Sequence, residues 1–429
     1  MKPPMEKKVP ATKSRENRRS RCPACPNLVA GTFFALGMTA VLAAGIGAAP
    51  AVLRCDFRGV PGEPGWETGP AGEHPFAGEV AASPADGHGF TIRAGSLLGP
   101  SFPVTALQMY RVSFEARAPH GGHWAVTFLD KAGVEIVSDV YDTIDPSDDW
   151  RPRGGIVRAH ADATHARIRF QTNYNLSAPE PVSIRDLAVV EASLMEAADW
   201  GDAVAAQCRL LHFEPAADRW QRLPKTMGRL GEGGQLRIVM LGDSICNDTA
   251  NSVFEAALAR HYPRTRIEVV PSIRGATGCW WFKDSGRVRE YVLDRKPDLL
   301  IITGISHHFD AEAIRAVIRQ VKEGCGCEIL VMTGAITPED YMKRQHLKGK
   351  PDRVAEAMAE MEQFTPRLRR ICHDEGAEFF DSRAAWDDWM LRSQTPFEYL
   401  ARDQIHANRR GKEMAGRFLV RYLAPKDVP

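Results

Sequence analysis

The chain has almost no net charge, because 54 Asp and Glu residues balance 55 Lys and Arg residues over a length of 429. Proteins that bind nucleic acid usually carry a basic surface or a high pI, so this balance gives no overall electrostatic argument for a nucleic-acid partner. Internal repeats and long low-complexity tracts are lacking after residue 54. The hydrophobic share of 44% and the charged share of 25% exclude a disordered chain, a collagen-like fibre and a multi-span membrane protein.

Charged residues are absent between Leu28 and Leu53, and the residues before this stretch are strongly basic. Residues 1–27 hold eight basic and two acidic side chains, a net charge of +6. An apolar helix of this length, at ~1.5 Å per residue, crosses a hydrocarbon core of ~30 Å, and its basic flank stays in the cytoplasm. The sequence therefore predicts a cytoplasmic tail over 1–27, a signal-anchor over 28–53, and export of the remaining chain.

Two other interpretations of residues 28–53 stay open. Small residues cluster at 47–51, which is typical of the processing site of a cleaved signal peptide. A buried soluble helix is the third interpretation, although the length and the basic flank argue against it. Retention predicts a protein anchored on the exported side of the cytoplasmic membrane, whereas cleavage predicts a secreted or periplasmic one.

Cysteine occurs nine times, an odd number. Disulfides form in exported proteins, and Cys246 with Cys279 is one candidate pair; buried free thiols are the alternative. The other candidates are Cys325, Cys327 and Cys372. The sequence Cys22-Pro-Ala-Cys25 is followed by no nearby second Cys or His pair, so no metal site is predicted.

After residue 54 the sequence contains two regions with different patterns of apolar and turn-forming residues. The length of the chain leaves room for two or three domains. From residue 55 to 193, short strand-like runs are separated by Gly, Pro, Asp and Asn. In Ala166–Phe170 apolar and charged residues alternate strictly, which is the pattern of a strand with one solvated face. Many short strands with turn signals between them predict an antiparallel β-sandwich over 55–193.

Residues 194–235 are predicted as a helical linker with a flexible boundary at 228–234, where glycines cluster. From 236 to 429, short apolar strands alternate with helices. This alternation predicts an α/β fold in which a parallel sheet carries helices on both faces. Ligands of such sheets bind beyond the carboxyl ends of the strands, so we expect the reactive residues directly after each strand.

A serine follows the first of these strands, in Gly242-Asp243-Ser244. A serine hydroxyl is a poor nucleophile until a base removes its proton. His406 is the candidate base, and Asp403, three residues earlier, is suited to orient the imidazole. Taken alone, each motif is a weak signal: Gly-Asp-Ser is more typical of an ordinary turn or helix N-cap, and Asp-x-x-His also occurs at a capped helix start.

Two further strand exits carry polar or small residues of the same kind. Gly275 follows the second strand and allows a backbone N–H to approach a substrate oxygen. Ser306 and His307 follow the third strand, and each offers a hydrogen-bond donor. Asn247 and Asp248 lie one turn after Ser244, where they either orient the loop or cap the helix.

These motifs carry a resemblance to a known family. The segment from about Leu236 to Leu423 resembles the SGNH, or GDSL-type, serine hydrolases. The resemblance implies a flavodoxin-like parallel sheet and a catalytic triad of Ser244, Asp403 and His406.

The resemblance also implies an oxyanion hole. Its donors would be the backbone N–H groups of Ser244 and Gly275, with Gly278 as the substitute for Gly275. The family's third block usually reads Gly-x-Asn-Asp, whereas this chain has Gly304-Ile-Ser306-His307, so Ser306 or His307 takes the place of the Asn donor. Loss of one such donor costs roughly 100- to 1000-fold in rate.

Two tryptophans and the sequence pattern of residues 55–193 suggest that the substrate is a carbohydrate. Trp280 and Trp281 follow the second block, where flat rings suit sugars; core packing is the alternative. The runs 110–117, 128–133 and 184–189 resemble the jelly roll of carbohydrate-binding modules, with a scaffold that binds nothing as the alternative.

The function predicted from these resemblances is that of an exported serine esterase. It would cleave an ester on a carbohydrate, such as an O-acetyl group, with no metal or organic cofactor, and would contact the membrane through residues 28–53. Three alternatives stay open: an O-acyltransferase, a lipase or thioesterase with the same triad, and a non-catalytic glycan-binding protein.

Overall fold

The computed structural model describes residues 51–55, 65–68, 79–82, 89–334 and 351–425. The chain divides into two units, Met1–Ala48 and Ala49–Pro429, and every described residue belongs to the second. The predicted tail over 1–27, with its two cysteines, and most of the predicted membrane segment over 28–53 lie outside the described residues. Within the described ranges, no helix combines the length and the apolar character needed to span a bilayer.

Two antiparallel sheets pack face to face in the front part of the chain. The first contains β1 (Ala51–Cys55), β3 (Glu79–Ala82), β4 (Phe90–Ala94), β7 (Met109–Ala118), β10 (Ser147–Arg158) and β12 (Val182–Ala192). The second contains β2 (Glu67–Thr68), β5 (Ser96–Leu98), β6 (Phe102–Pro103), β8 (Gly122–Leu129), β9 (Val140–Ile144) and β11 (His165–Thr172). One buried core lies between them, with Phe90, Trp124 and Phe170 at its centre. The predicted sandwich of antiparallel strands is confirmed.

Strand β1 belongs to the sandwich and lies earlier in the chain than the predicted start of this domain. The first sheet runs β10-β7-β12-β4-β3 with β1 also on β12, and the second runs β2-β5-β11-β8-β9 with β6 on β11. In β1, Ala51 pairs with Val190, and Val52 and Leu53 pack against the sandwich core. The sandwich therefore begins at or before Ala51, earlier than the predicted boundary at Cys55, because these apolar side chains pack against protein.

The long strand β10 was not predicted from the sequence. It contains Pro152, Gly154 and Gly155, which are unfavourable in the middle of a sheet. The strand lies at the end of its sheet order and pairs with β7, and proline is tolerated on edge strands.

The rest of the chain forms a parallel sheet with helices. Its strands are β13 (Gly234–Gly242), β14 (Thr265–Ile273), β15 (Leu299–Ile302), β16 (Glu328–Met332) and β17 (Glu378–Phe380), in the order β14-β13-β15-β16-β17. The helices are α1 (Leu194–Ala205), α2 (Pro224–Glu232), α3 (Ser244–Ala250), α4 (Phe254–His261), α5 (Cys279–Phe282), α6 (Arg287–Tyr291), α7 (Ala311–Gly324), α8 (Pro351–Asp374), α9 (Ser382–Ser393), α10 (Phe397–Leu400) and α11 (Arg409–Leu423), with a 3₁₀ turn at Leu293–Arg295.

Helices cover both faces of this sheet, as the alternation of side chains along β13 shows. Ile238 and Met240 belong to a core formed with α4, α9 and α11. Val239 and Leu241 point to the opposite face and belong to a core formed with α7 and α8. The predicted α/β architecture is confirmed.

The segment predicted as a linker is packed against the α/β part. Helix α1 begins at a capping box of Ser193 and Glu196. The predicted flexible boundary at 228–234 is wrong, because Gly228 and Gly231 lie inside α2 and Leu230 between them is buried in the core. Burial of that leucine holds the helix in place.

The seven cysteines within the described residues are free. Cys246 and Cys279 are both buried, but they belong to cores on opposite faces of the parallel sheet. The candidate pairing of these two cysteines is therefore wrong, and the alternative of buried free thiols is confirmed for Cys246, Cys279 and Cys372. Burial raises the pKa of both thiols, which keeps them protonated.

Buried charges join the sandwich to the α/β part. Arg158, at the end of β10, forms an ion pair with Glu255 of α4, and both side chains are almost completely buried. Arg158 Nη2 also donates to the carbonyl of Ala250 at 2.6 Å. A second link joins His160 Nε2 to the carbonyl of Pro271 at 2.9 Å. Removal of one partner of a buried ion pair is strongly destabilising, so these contacts fix the position of the sandwich.

A second ion-pair cluster lies at the start of α11. Asp145, after β9, pairs with Arg409 and Arg410. The Arg409 backbone N–H also donates to Asp142 at 2.8 Å. Burial alone would raise the pKa of Asp145, but the two guanidinium groups outweigh it and hold the pKa at about 2. The sandwich therefore contacts the helix that directly follows His406.

We expect the contribution of Asp145 to stability to depend on pH. Because its pKa is lower in the folded protein than in the unfolded chain, the ionised carboxylate stabilises the fold above pH ~4, and this stabilisation falls as the pH drops toward 2. Asp145→Asn should lower the free energy of unfolding at pH 7, and the difference from the wild type should shrink at pH 3. Urea denaturation at both pH values measures this difference.

The matched control is Asp149→Asn, which removes an exposed carboxylate paired with Arg151. Exposed pairs contribute ~0–1 kcal/mol, so the control should change the unfolding curve little at either pH. A loss at Asp145 that is equal at pH 3 and pH 7 would contradict the ion-pair explanation.

Candidate functional site

Ser244 lies at the turn between β13 and α3, where it is the first residue of the helix. The preceding Gly242 is required by space, since a Cβ there would lie 2.0 Å from the carbonyl oxygen of Thr303. The tight turn places Ser244 at the carboxyl end of the central strands. This is the strand exit at which the sequence predicted it.

The structure brings Ser244, His406 and Asp403 together, although 162 positions separate the serine from the histidine. His406 Nε2 lies 2.9 Å from Ser244 Oγ. On the other side of the ring, His406 Nδ1 lies 3.0 Å from Asp403 Oδ1 and 2.9 Å from Asp403 Oδ2. An ionised carboxylate only accepts hydrogen bonds, so Nδ1 carries the proton and Nε2 accepts from the serine hydroxyl.

Asp403 is held as an anion by the groups around it. Its Oδ1 accepts from the backbone N–H groups of Ile405 and His406, both at 2.9 Å. Its Oδ2 accepts from Arg402 Nε at 3.3 Å and from the Tyr174 hydroxyl at 3.2 Å. Burial alone would raise the pKa of Asp403, but the hydrogen bond from His406 and the charge of Arg402 outweigh it and hold the pKa well below its usual range.

Asp248 fixes the loop that carries His406. Its Oδ2 accepts from the backbone N–H of Ala407 at 2.8 Å, and its Oδ1 lies 3.6 Å from Lys412 Nζ. The side chain of Asp243, and not of Asp248, caps helix α3. Of the two interpretations left open for Asp248, the contacts therefore favour orientation of the loop.

Asn247 contacts the sandwich. Its Oδ1 accepts from the Ser138 hydroxyl at 2.8 Å, and its Nδ2 donates to the carbonyl of Asp139 at 2.9 Å. These bonds tie the helix that begins at Ser244 to the loop before β9.

The buried carboxylate of Asp243 connects two strand exits. Its Oδ1 accepts from the N–H groups of Ile245 and Cys246 at 2.9 and 3.2 Å, at the start of α3. Its Oδ2 accepts from the N–H groups of Ile305 and Ser306 at 2.8 and 2.7 Å. Four backbone donors therefore compensate one buried negative charge and set the position of the third loop relative to Ser244.

Gly275 lies two residues after β14, whose last residue, Ile273, pairs with Gly242 of β13. This register brings Gly275 to the same edge of the sheet as Ser244. Gly275 is exposed, and nothing lies within 4 Å of the place where a Cβ would be. The nearby Gly278 is in a different position, because a Cβ there would lie 2.3 Å from the carbonyl oxygen of Ser306, so it serves the close approach of the second and third loops.

Ser306 and His307 differ in their surroundings. Ser306 is half-buried, and its backbone N–H donates to Asp243. His307 is 7% exposed, and its Nδ1 accepts from the N–H of Cys279 at 3.3 Å. Burial lowers the pKa of His307, so the ring is neutral at pH 7. The His307 ring therefore holds the second and third loops together.

Trp280 and Trp281 are both half-buried. Trp280 Nε1 donates to the carbonyl of Ser306 at 2.9 Å, and its ring stacks on His308 with centroids 5.1 Å apart. Trp281 lies beside Arg274 and Arg287, whose guanidinium carbons are 4.4 and 3.7 Å from the ring centroid. Both rings pack against loops around the site and keep part of their surface in solvent.

Metal-ligating clusters of three or more His, Cys, Asp or Glu are not found in the described part of the chain. Three participants at the site were missed by sequence reasoning. Arg402 directly precedes Asp403 and contacts its carboxylate, but no motif marks it. Asp243 stands inside the Gly-Asp-Ser motif, so its position was noticed, but its link to the third loop depends on tertiary contacts. Tyr174 lies 229 positions from Asp403, and no local pattern marks it.

No protein-family model matches the chain, and no curated protein matches it. Solved structures do. It is similar to a two-domain esterase active on acetylated mannans, at 16% identity over 48% of this chain and 52% of that one, with a TM-score of 0.37. An acetyl xylan esterase matches at 16% identity over 44% of this chain and 97% of that one, with a TM-score of 0.34.

The chain is also similar to the family 11 carbohydrate-binding module of a cellulosomal cellulase of Clostridium thermocellum. The identity is 12% over 33% of this chain and 97% of that one, with a TM-score of 0.24. The chain spans about half the length of the two-domain esterase.

We expect Asp243→Asn to loosen the third loop. The substitution removes the charge and replaces one acceptor oxygen with an NH₂ group that faces backbone donors, so two of the four bonds are lost. The free energy of unfolding should fall by about 3–6 kcal/mol, since two bonds are lost and hydrogen bonds to charged groups contribute ~1.5–3 kcal/mol each. Hydrogen exchange of the Ile305 and Ser306 amides should become faster.

Asp310→Asn is the matched control, because Asp310 caps α7 through one bond, to the N–H of Ala313 at 2.9 Å. Asparagine is also a good N-cap, so this variant should lose at most about 1 kcal/mol. Equal losses in the two variants, with unchanged exchange at residues 305 and 306, would contradict the connecting role of Asp243.

Proposed function

We propose that this chain is a serine esterase of the SGNH, or GDSL, type. The observation that carries the proposal is the contact of His406 Nε2 with Ser244 Oγ at 2.9 Å, on an imidazole whose Nδ1 faces the Asp403 carboxylate. A serine, a base and an orienting acid in this order form the arrangement that activates a hydroxyl for attack on an acyl carbon.

In the proposed reaction, Ser244 Oγ attacks the ester carbonyl while His406 Nε2 takes the hydroxyl proton. The tetrahedral intermediate collapses when His406 returns that proton to the leaving alcohol, which leaves an acyl group on Ser244. A water molecule then gives a proton to His406 and attacks the acyl carbon. His406 returns this proton to Ser244 Oγ as the second intermediate collapses, and the acid is released. Asp403 stays ionised and stabilises the imidazolium in both halves of the reaction.

The oxyanion of both intermediates needs donors at the same edge of the sheet. We assign this role to the backbone N–H groups of Ser244 and Gly275. For the third donor we favour Ser306 over His307, because Ser306 is half-buried, whereas the His307 ring is 7% exposed and packed between two loops. Donors held in place before the reaction are the ones that lower the barrier most.

For the substrate we propose an O-acyl group, such as O-acetyl, on a carbohydrate. The support is the family resemblance, the sandwich packed beside the site, and the part-exposed rings of Trp280 and Trp281. Water is the proposed acyl acceptor, and a sugar hydroxyl in its place would make the protein an acyltransferase.

We expect Ser244→Ala to abolish reaction with a fluorophosphonate probe and to lower hydrolysis of a nitrophenyl acetate by about 10⁴-fold or more, because the nucleophile is lost. The wild type should take one label on Ser244, located by mass spectrometry, and should release acetate from acetylated mannan or xylan. Ser147→Ala, at a half-buried serine of the sandwich, is the control and should label fully.

Other outcomes decide between the alternatives. Faster cleavage of long-chain than of short-chain nitrophenyl esters would favour a lipase. Acyl transfer to an added acceptor glycan in place of acetate release would favour an acyltransferase. A wild type that neither labels nor turns over an ester would refute the proposal and leave a glycan-binding protein.

We also propose that residues 28–50, which precede β1, anchor the protein, with the catalytic part on the exported side. The support is the uncharged stretch and its basic flank of +6. Protease added to intact spheroplasts should then digest the chain after residue 54 and spare a tag at the N-terminus, in a membrane fraction that resists extraction by salt. Full protection of the catalytic part would refute export, and release of a shortened chain into the medium would favour the cleaved signal peptide.

A further inference from the structure

The sandwich reaches the acid of the proposed triad directly. Tyr174, in the loop between β11 and β12, donates its hydroxyl to Asp403 Oδ2 at 3.2 Å. The same oxygen accepts from His406 Nδ1 at 2.9 Å. Nδ1 also lies 3.0 Å from Oδ1, so the imidazole faces both carboxylate oxygens, and the phenol from the other part of the protein donates to one of them.

The loop that carries Tyr174 is held in place from two sides. The ring stacks on His123 of β8, with centroids 4.0 Å apart and an angle of 14° between the planes. Burial lowers the pKa of His123 to about 4, so the stacked imidazole is neutral. Beside the ring, Asn173 Nδ2 donates to the carbonyl of His120, and Asn175 Nδ2 donates to the carbonyl of Arg402, both at 2.9 Å.

The protonation state of Tyr174 determines the direction of its bond. Burial raises the pKa of the phenol, so it keeps its proton and acts as a donor to the carboxylate. Arg402 Nε approaches the same Oδ2 at 3.3 Å, and its guanidinium carbon lies 4.6 Å from the ring centroid of Tyr141 in β9. Two residues of the sandwich thus border the groups that fix this oxygen.

We propose that Tyr174 is a positioning residue for Asp403, and that the sandwich is therefore part of the active site. The inference rests on the proposed esterase function. Both oxygens of Asp403 face the imidazole N–H. Oδ1 also accepts from N–H groups of its own loop, whereas Oδ2 also accepts from Arg402 and Tyr174. Without the phenol, the carboxylate has more freedom to rotate, and the imidazole loses part of its alignment with Ser244.

The test is Tyr174→Phe in the full chain, with steady-state kinetics on a nitrophenyl acetate. We expect kcat to fall about 10- to 100-fold with KM within about twofold, because the lost bond aligns the reacting groups and does not bind substrate. The acid limb of kcat/KM against pH should move to higher pH, since a carboxylate with one donor fewer holds the protonated imidazole more strongly.

Tyr110→Phe is the matched control. It makes the same change inside the same sandwich, where the Tyr110 hydroxyl accepts from the N–H of Thr105 at 2.7 Å. Its thermal midpoint is expected to fall while kcat and the pH profile stay as in the wild type. A Tyr174→Phe enzyme with wild-type kcat and acid limb, or an equal fall of kcat in both variants, would overturn the inference.

A second readout separates this inference from the proposed function. If the wild type shows no Ser244-dependent reaction, the esterase proposal fails whatever Tyr174 does. The proton on His406 Nδ1 is observable by NMR without any turnover and is assigned by its absence in His406→Gln. A shifted or broadened resonance in Tyr174→Phe supports the positioning role, and a resonance identical to that of the wild type overturns it.

Discussion

The arrangement of the site depends most on the hydrogen bonds that the buried carboxylate of Asp243 accepts. Asp243 takes four backbone N–H groups, two from the start of helix α3 and two from the loop after β15. A charge removed from water is tolerated only when such donors replace its hydration, so the two segments are held together. The carboxyl ends of parallel strands meet at one edge of the sheet, but the segments that follow the strands are not bonded to each other by the sheet. The hydrogen bonds of Asp243 link two of these segments beside Ser244.

The second constraint is the position of the Asp403 carboxylate, which accepts hydrogen bonds from both the α/β part and the sandwich. Its own loop supplies two backbone donors, and the sandwich supplies the Tyr174 hydroxyl. That hydroxyl reaches the carboxylate only because the sandwich is fixed against the α/β part by buried charges, among them the pair of Arg158 with Glu255. Packing between the two parts, far from the serine, thus bears on the geometry around the imidazole. A sandwich attached by a loose tether would not hold a side chain at hydrogen-bond distance.

Much of the architecture was predictable, because short-range physics determines it. Strands such as β13 are apolar and short, helices such as α11 repeat apolar residues at helical spacing, and their alternation implies a parallel sheet. Strand β10 was missed because proline and glycine, here Pro152, Gly154 and Gly155, are unfavourable in strands and are tolerated here on an edge strand. The segment at 228–234 was misjudged because glycines signal flexibility locally, whereas the burial of Leu230 between them is a tertiary fact.

The amino-acid sequence by itself determined which side chains carry chemistry and where they stand along the chain: a serine after the first strand of the α/β part, and an aspartate three residues before a histidine near the end. Only the tertiary structure decided which of them meet. Ser244 Oγ and His406 Nε2 lie 2.9 Å apart, and Cys246 and Cys279 lie on opposite faces of one sheet. Tyr174 contacts Asp403, from which it is 229 positions distant in the sequence. Local patterns report the conformation of neighbours, whereas contacts between distant residues depend on how whole sheets and helices pack.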